Sequence, residues 1–385
     1  MDRRKERAVE ELKVAPRRLA GDLTLRKKDD QRTIKMPLFK RNKALVGLDI
    51  GSSAVKAVEI TKSKKGYQVT RVACAPLGPD AVVDGAIVNA PAVAQAIQKT
   101  LAGGKFRRKA VAAGISGHSV IVKRVVLPAA SADEVAASVE FDAEQYIPFE
   151  VSEVDLDYQV VGVPANDEPG TEVLLVVAKK DKILNHTNVI SLAGRDTQIV
   201  DIDAFALQNT FEANYPADPD ATVALLNIGA SLMNINITKG GVPLFVRDVS
   251  VGGNQYTDIL QKELQISFHE AEELKLGRTR GADAIMVQPL LESITDMLVL
   301  EVQKTFDFFR ETYPAESITK VMISGGASHM TGLAEKIEDA FGHPTEVLNP
   351  FKAIAIGSDV DSAQAMWLGP SLAVAIGLAL RGVEQ

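Results

Sequence analysis

Leu48-Asp49-Ile50-Gly51-Ser52-Ser53 is matched 178 residues further on by Leu226-Asn227-Ile228-Gly229-Ala230-Ser231. Each stretch closes a short apolar run, Ala44 to Leu48 and Val223 to Leu226, that reads as a strand. Alternation follows in both: Val55-Lys56-Ala57-Val58-Glu59-Ile60, then Leu232-Met233-Asn234-Ile235-Asn236-Ile237. A period of two marks a second strand with one buried face. Both copies are therefore expected to be β-hairpins turned by glycine and small residues. A single glycine–serine turn would be commonplace. A repeat at this spacing instead implies two related halves, since solenoid repeats run about 20–50 residues.

Working outward, 385 residues suffice for two domains of ordinary size. Hydrophobic residues at 46% and charged ones at 24% exclude a disordered or fibrous chain. No apolar run approaches the roughly 18 residues that span a bilayer; the best candidate, Ser371 to Leu380, is closed by Arg381. One cysteine, Cys74, excludes an internal disulfide and a cysteine-cluster zinc site. Five scattered histidines, with no H-E-x-x-H spacing, argue against a transition-metal enzyme. The composition reads as intracellular and soluble. The net charge of −7 is uneven: residues 1–35 hold 12 Lys or Arg and 7 Asp or Glu, which leaves −12 for the rest. So acidic a body argues against nucleic acid as the main ligand. The basic leader, residues 1–41, lacks the apolar core of a secretory signal and reads as a disordered extension, with Met36 as an alternative start.

The remainder alternates strands and helices, an α/β pattern. Strands are expected at Val111 to Gly114, Val120 to Val126, Leu156 to Val161, Val173 to Ala178, up to Asp201, and at Lys320 to Ser324. Helices are expected at Ala92 to Leu101, from the cap Ser131 to Tyr146, Asp181 to Ala193, Ala204 to Ala213, Tyr256 to Glu263, His269 to Leu276, Leu290 to Phe309 and Leu333 to Phe341. Phe306, Phe308 and Phe309 read as core. Gly114-Ile115-Ser116-Gly117-His118 lacks the G-x-S-x-G of a hydrolase elbow and reads as a turn.

The chemistry follows from the hairpins. A turn of Gly51, Ser52 and Ser53, or of Gly229, Ala230 and Ser231, offers backbone N–H groups to phosphate oxygens. Asp49 can hold a hydrated Mg²⁺ through water, and Lys56 brings a positive charge. Gly252-Gly253-Asn254 precedes a helix, a setting for an anion at its N-terminus. Glu272 and Lys275 share a helix face three residues apart and can reach a ribose or base edge. Gly325-Gly326-Ala327 ends a strand with paired glycines that let a flat base approach.

In this order these elements resemble the actin-like ATPase superfamily, with its two phosphate loops, E-x-x-K helix and adenosine glycine loop, over residues 42–382. Within it, Leu45 to Lys56, Gln145-Tyr146-Ile147-Pro148-Phe149 and Asn227 to Ser231 are similar to the type IV pilus assembly family PilM, relatives of the division protein FtsA. The resemblance implies an actin-like ATPase fold: two RNase H-like domains with an FtsA-like inserted subdomain. It divides the chain into a first domain, 42–213, with the insert at 120–190, and a second, 214–385, with a helical subdomain at 254–315. Asp203 and the helix after it look like the first connecting segment, and Ser371 to Leu380 like the second.

The resemblance also implies ATP and Mg²⁺ as ligands. It implies a cytoplasmic scaffold held at the bacterial inner membrane by the N-terminal cytoplasmic peptide of a PilN-like membrane protein. That peptide would dock between the first domain and its insert, along the strand edges at 120–126 and 156–161; self-association through the insert is the competing use. One departure stands out: Asn227 replaces the aspartate of many relatives, and an amide cannot act as a base. Asp203 is left as the carboxylate to orient an attacking water, so nucleotide binding with weak or absent hydrolysis is expected. An FtsA-like filament protein would carry an amphipathic membrane helix beyond the last apolar stretch, where only Arg381 to Gln385 remain. A sugar kinase would need a further substrate-facing carboxylate, for which no motif is seen.

Overall fold

The computed structural model describes residues 44–383 apart from 130, 163, 165–168 and 278–283. The basic leader and Met36 lie outside the described residues. Both expected hairpins form. β1 (Val46–Ile50) and β2 (Ala54–Ser63) are antiparallel and continue into β3 (Gly66–Pro76). On the other flank of β1, β6 (Ala110–Ile115) and then β10 (Asp196–Ile202) add in parallel. β1 is buried along its whole length, which is why it reads as unbroken apolar sequence while β2 alternates.

The second half repeats this order strand for strand. β13 (Val242–Val249), β12 (Met233–Lys239), β11 (Thr222–Ile228), β14 (Ile318–Ser324) and β15 (Thr345–Val347) follow one another as β3, β2, β1, β6 and β10 do. The short β16 (Ala355–Ile356) extends the first sheet beside β3. A tight hairpin, β4 (Val82–Val83) and β5 (Ala86–Ile87), precedes α1 (Ala90–Gly103), which Asn89 caps by accepting from the Ala92 amide at 3.1 Å.

Between β6 and α3 (Lys180–Leu192) the chain builds a separate three-stranded sheet of β7 (Val120–Leu127), β9 (Thr171–Lys179) and β8 (Val154–Gly162), with β9 in the middle. α2 (Ala132–Ala143), capped by Ser131, lays Val135 and Val139 against Leu127, Val173, Leu175 and Val177 to give this insert its own core.

The halves are joined through α4 (Asp203–Asn214) and α10 (Ala373–Leu380). All eight residues of α10 are buried, and it packs on both β1 and α4. A Cβ on Gly377 would stand 1.7 Å from the Ala206 carbonyl, and one on Gly47 2.0 Å from that of Ala375, so both contacts exist only as glycine contacts. With α9 (Ser362–Leu368) the helical run reaches Ser362–Leu380, 19 residues and apolar enough to cross a membrane by length and composition. This corrects the expectation that no stretch reached that length. With 67% of its most apolar window buried inside the protein, it is the packed core connector.

α5 (Asn254–Leu264), α6 (Phe268–Lys275), α7 (Ala284–Thr312) and α8 (Leu333–Phe341) complete the second half. Phe306 and Phe309 are core, but Phe308 is 52% exposed: helical spacing turns it away from the face its neighbours share.

Candidate functional site

The two hairpin turns face each other. Each is closed by a glycine N–H reaching three residues on: Gly51 to the Ala54 carbonyl at 3.1 Å, Gly229 to that of Leu232 at 2.9 Å. Their tips touch through the Ser52 and Ser231 hydroxyls. Among the described residues, the amides of Ser52, Ser53, Ala230 and Ser231 donate to no protein acceptor. Four unpaired N–H groups on two touching turns are donors of the kind that hold an anion.

The pseudo-symmetry extends to side chains. Asp49 pairs in register with Lys56 on the first hairpin, and Asn227 with Asn234 on the second. Lys56 Nζ donates to Asp49 Oδ2 at 2.9 Å and lies 3.3 Å from where a Cβ on Gly51 would be, so its ammonium stands at the turn. Burial pulls the lysine's pKa down, but the Asp49 carboxylate overrides that and leaves it raised, so Lys56 stays charged. Asn227 Nδ2 donates to Asn234 Oδ1 at 2.8 Å, and Asn234 Nδ2 to Asp248 Oδ1 at 2.8 Å. Asp248 Oδ2 in turn accepts from the Gly117 amide in the first half. His118 Nε2 and Ser250 Oγ, 3.0 Å apart, add a further hydrogen bond across the halves.

Asp203 opens α4 on the first-half side of the turns. Its carboxyl occupies the space a side chain at Gly114 would fill. Burial, then the Asp49 carboxylate, pushes it up to about 7.

The other expected residues gather behind the second turn. Gly253 N donates to the Gly229 carbonyl and Asn254 N to that of Ala230, both at 2.8 Å, while Gly252 N donates to Gln255 Oε1 at 2.7 Å. All three amides are engaged, so they are not the free anion site at the start of α5 that the sequence led one to expect; those of Gly253 and Asn254 hold the second turn in shape. A Cβ on Gly252 would stand 2.5 Å from the Gly229 carbonyl, which makes glycine necessary for this approach. Lys275 Nζ reaches Thr257 Oγ1 at 2.9 Å and the Gly253 carbonyl at 3.3 Å, and pairs with Glu272 on its own helix. Gly325 has φ of +88° and would carry a Cβ 2.3 Å from the Ile228 carbonyl, so β11 and the glycine loop are in backbone contact. Gly326 beside it faces open space, and Ala327 is buried against Gly253.

Sequence reasoning missed Lys182, Asp248 and Asn234, and took Gly114 to His118 for a turn alone. Asn234 was findable, since it stands at the place of Lys56 in the repeat. Lys182 and Asp248 lie outside the matched stretches and enter only through tertiary folding.

A model of the family described as type IV pilus assembly protein PilM matches residues 47–383. Among solved structures, a PilM-PilN type IV pilus biogenesis complex is 28% identical, with a TM-score of 0.78 over 89% of this chain and 99% of that one. The ethanolamine utilization protein EutJ from Carboxydothermus hydrogenoformans is 15% identical, with a TM-score of 0.53 over 87% of this chain and 89% of its own; at that identity the likeness is one of fold. Twin sheets of the same strand order, with facing glycine turns and connecting helices packed on each other, are the actin-like ATPase fold. By its sequence over nearly the whole length, and by that fold, the chain belongs to the PilM family of type IV pilus assembly proteins.

Proposed function

We propose that this chain is a nucleotide-binding scaffold of the type IV pilus machine that takes Mg·ATP between its two hairpin turns. The observation that carries the reading is the set of four unpaired amides at Ser52, Ser53, Ala230 and Ser231, with the Lys56 ammonium beside them. The chemistry fits a polyphosphate: backbone N–H groups and a lysine that stays charged, backed by glycines that admit nothing larger. ATP brings its own Mg²⁺, whose waters Asp49 would accept through the oxygen not engaged by Lys56. Adenosine would lie against Gly325 and Gly326, near Glu272 and Lys275. Hydrolysis is slow, because Asn227 is neutral and engaged with Asn234, leaving Asp203 to orient water.

The test is a calorimetric titration of the full chain with Mg·ATP, with released phosphate measured alongside. Wild type binds, and Gly229→Val, whose side chain would start 2.9 Å from the Leu232 carbonyl and enter the cradle, does not. Unchanged affinity in the variant refutes the placement; turnover faster than about one per second refutes the slow step.

The partner reading rests on the insert. The solved relative is a complex with PilN. By that analogy a PilN-like membrane protein would tether this chain to the cytoplasmic face of the inner membrane through an extended peptide. β8 is an edge strand of its sheet, whereas the opposite edge, β7, packs beside β13. Residues 131–157 hold nine Asp or Glu and no Lys or Arg, which suits a basic peptide adding main-chain bonds to β8 with α2 as a wall. Reversing Asp155 and Asp157 to lysine should lower peptide affinity in fluorescence anisotropy without changing sedimentation. Lost self-association with peptide affinity intact would favour the filament use of the insert.

A further inference from the structure

Near Leu232, at the end of the second turn, stands a third cation. Lys182, in the first turn of α3, is 6% exposed. Its Nζ donates to the Gly85 carbonyl, which is its one acceptor among the described residues. An ammonium has three N–H donors, so two are left without a protein partner in a desolvated place. Gly85 and Asp84 form a tight turn, both at positive φ of 72° and 48°. A Cβ on Gly85 would lie 2.9 Å from the Ser116 carbonyl, 3.0 Å from Lys182 Nζ and 3.2 Å from Leu232 Cδ1. Leu232 directly follows Ser231, so the ammonium is fixed at the far end of the second turn.

The carboxylates around it supply charge but no acceptor. Burial pulls the Lys182 pKa down, and the carboxylates of Asp203, Asp248 and Asp181 oppose that in part. Yet among the described residues none of the three accepts a hydrogen bond from its Nζ, and Asp248 is engaged at both oxygens by Asn234 and Gly117. A nucleotide with its base at Gly325 and Gly326 and its phosphates along the turns would run out toward this corner, having met Lys56 on the way. We propose that Lys182 contacts the terminal phosphate of the bound nucleotide and so makes the site favour a triphosphate over a diphosphate. This rests on the nucleotide reading above. It gives the two unmatched donors the anionic oxygens that the folded chain withholds.

The experiment is calorimetry on the full chain with Mg·ATP and Mg·ADP, for wild type, Lys182→Met and Lys182→Gln. Wild type is expected to prefer Mg·ATP. Lys182→Met should weaken Mg·ATP roughly 10- to 100-fold and leave Mg·ADP within about threefold, the loss of one charge-assisted contact. Lys182→Gln, whose amide can still donate to the Gly85 carbonyl, should lose the same discrimination and serves if the methionine variant does not fold. Equal losses for both nucleotides, or none, overturn the proposal and make Lys182 a structural counter-ion. Wild type that binds neither nucleotide overturns the nucleotide reading itself, an outcome distinct from the first because it needs no variant.

Discussion

At two register positions of the first hairpin stand Asp49 and Lys56; at the same two positions of the second stand Asn227 and Asn234. An ion pair has been exchanged for an amide pair without moving a strand. The charged pair keeps a cation at the first turn, while the amide pair passes a hydrogen-bond chain to Asp248 and across to Gly117. A nearby buried group gives a test at this scale. His186, 2% exposed, has its Nδ1 3.0 Å from the Lys182 carbonyl, and burial followed by the Lys182 charge lowers it to about 4. In the unfolded chain the imidazole takes a proton near 6.5, before the folded one does, so stability falls as pH drops between those values. The loss should reach about 3 kcal/mol by pH 4. In urea denaturation, His186→Gln should flatten that part of the pH profile; a slope parallel to wild type would remove His186 as its source. Residues that carry the repeat were legible in the sequence because hairpin turns are local chemistry. Lys182 and Asp248 were not, because nothing local distinguishes a lysine in a helix or an aspartate in a strand until the halves meet.

The elements tell a similar story. The hairpins, α2 with its Ser131 cap and the strands of the insert follow from alternation, capping and turn residues, and lie where those signals put them. β3, β13 and α9 went unseen: β3 and β13 are half-exposed flanking strands whose burial follows no clean period. α10 was visible as an apolar run, but its role comes from Gly377 and Gly47. Replacing Gly377 by alanine would gain about 1 kcal/mol of helix propensity. Against that, the new Cβ would meet the Ala206 carbonyl at 1.7 Å, and α10 cannot stay in place. Overpacking of this kind costs about 1–3 kcal/mol, so Gly377→Ala should lower the denaturation midpoint, and Gly377→Val more. A midpoint at or above wild type for both would mean that α4 and α10 separate freely.

For the whole molecule, the contacts between the halves concentrate in two layers. Below, α10 packs on α4, and the buried Arg381–Asp201 pair, 3.2 Å apart, ties the end of α10 to the strand leading into α4. Above, Ser52 meets Ser231, Gly117 meets Asp248 and His118 meets Ser250. Because Gly117 and His118 lead directly into β7, and β7 packs beside β13, the insert is held by the second half as well as the first. The two turns and the insert therefore share the same few contacts, so that on the proposed reading nucleotide binding and the position of the insert are linked. In the proposed reading the free turn amides are the phosphate cradle. Millisecond hydrogen–deuterium exchange, resolved to the segments 49–55 and 227–233, reads those amides with and without Mg·ATP. Marked slowing at Ser52, Ser53, Ala230 and Ser231, absent with magnesium alone, is the result expected. Exchange there unchanged at saturating Mg·ATP would mean that these amides do not hold the phosphates.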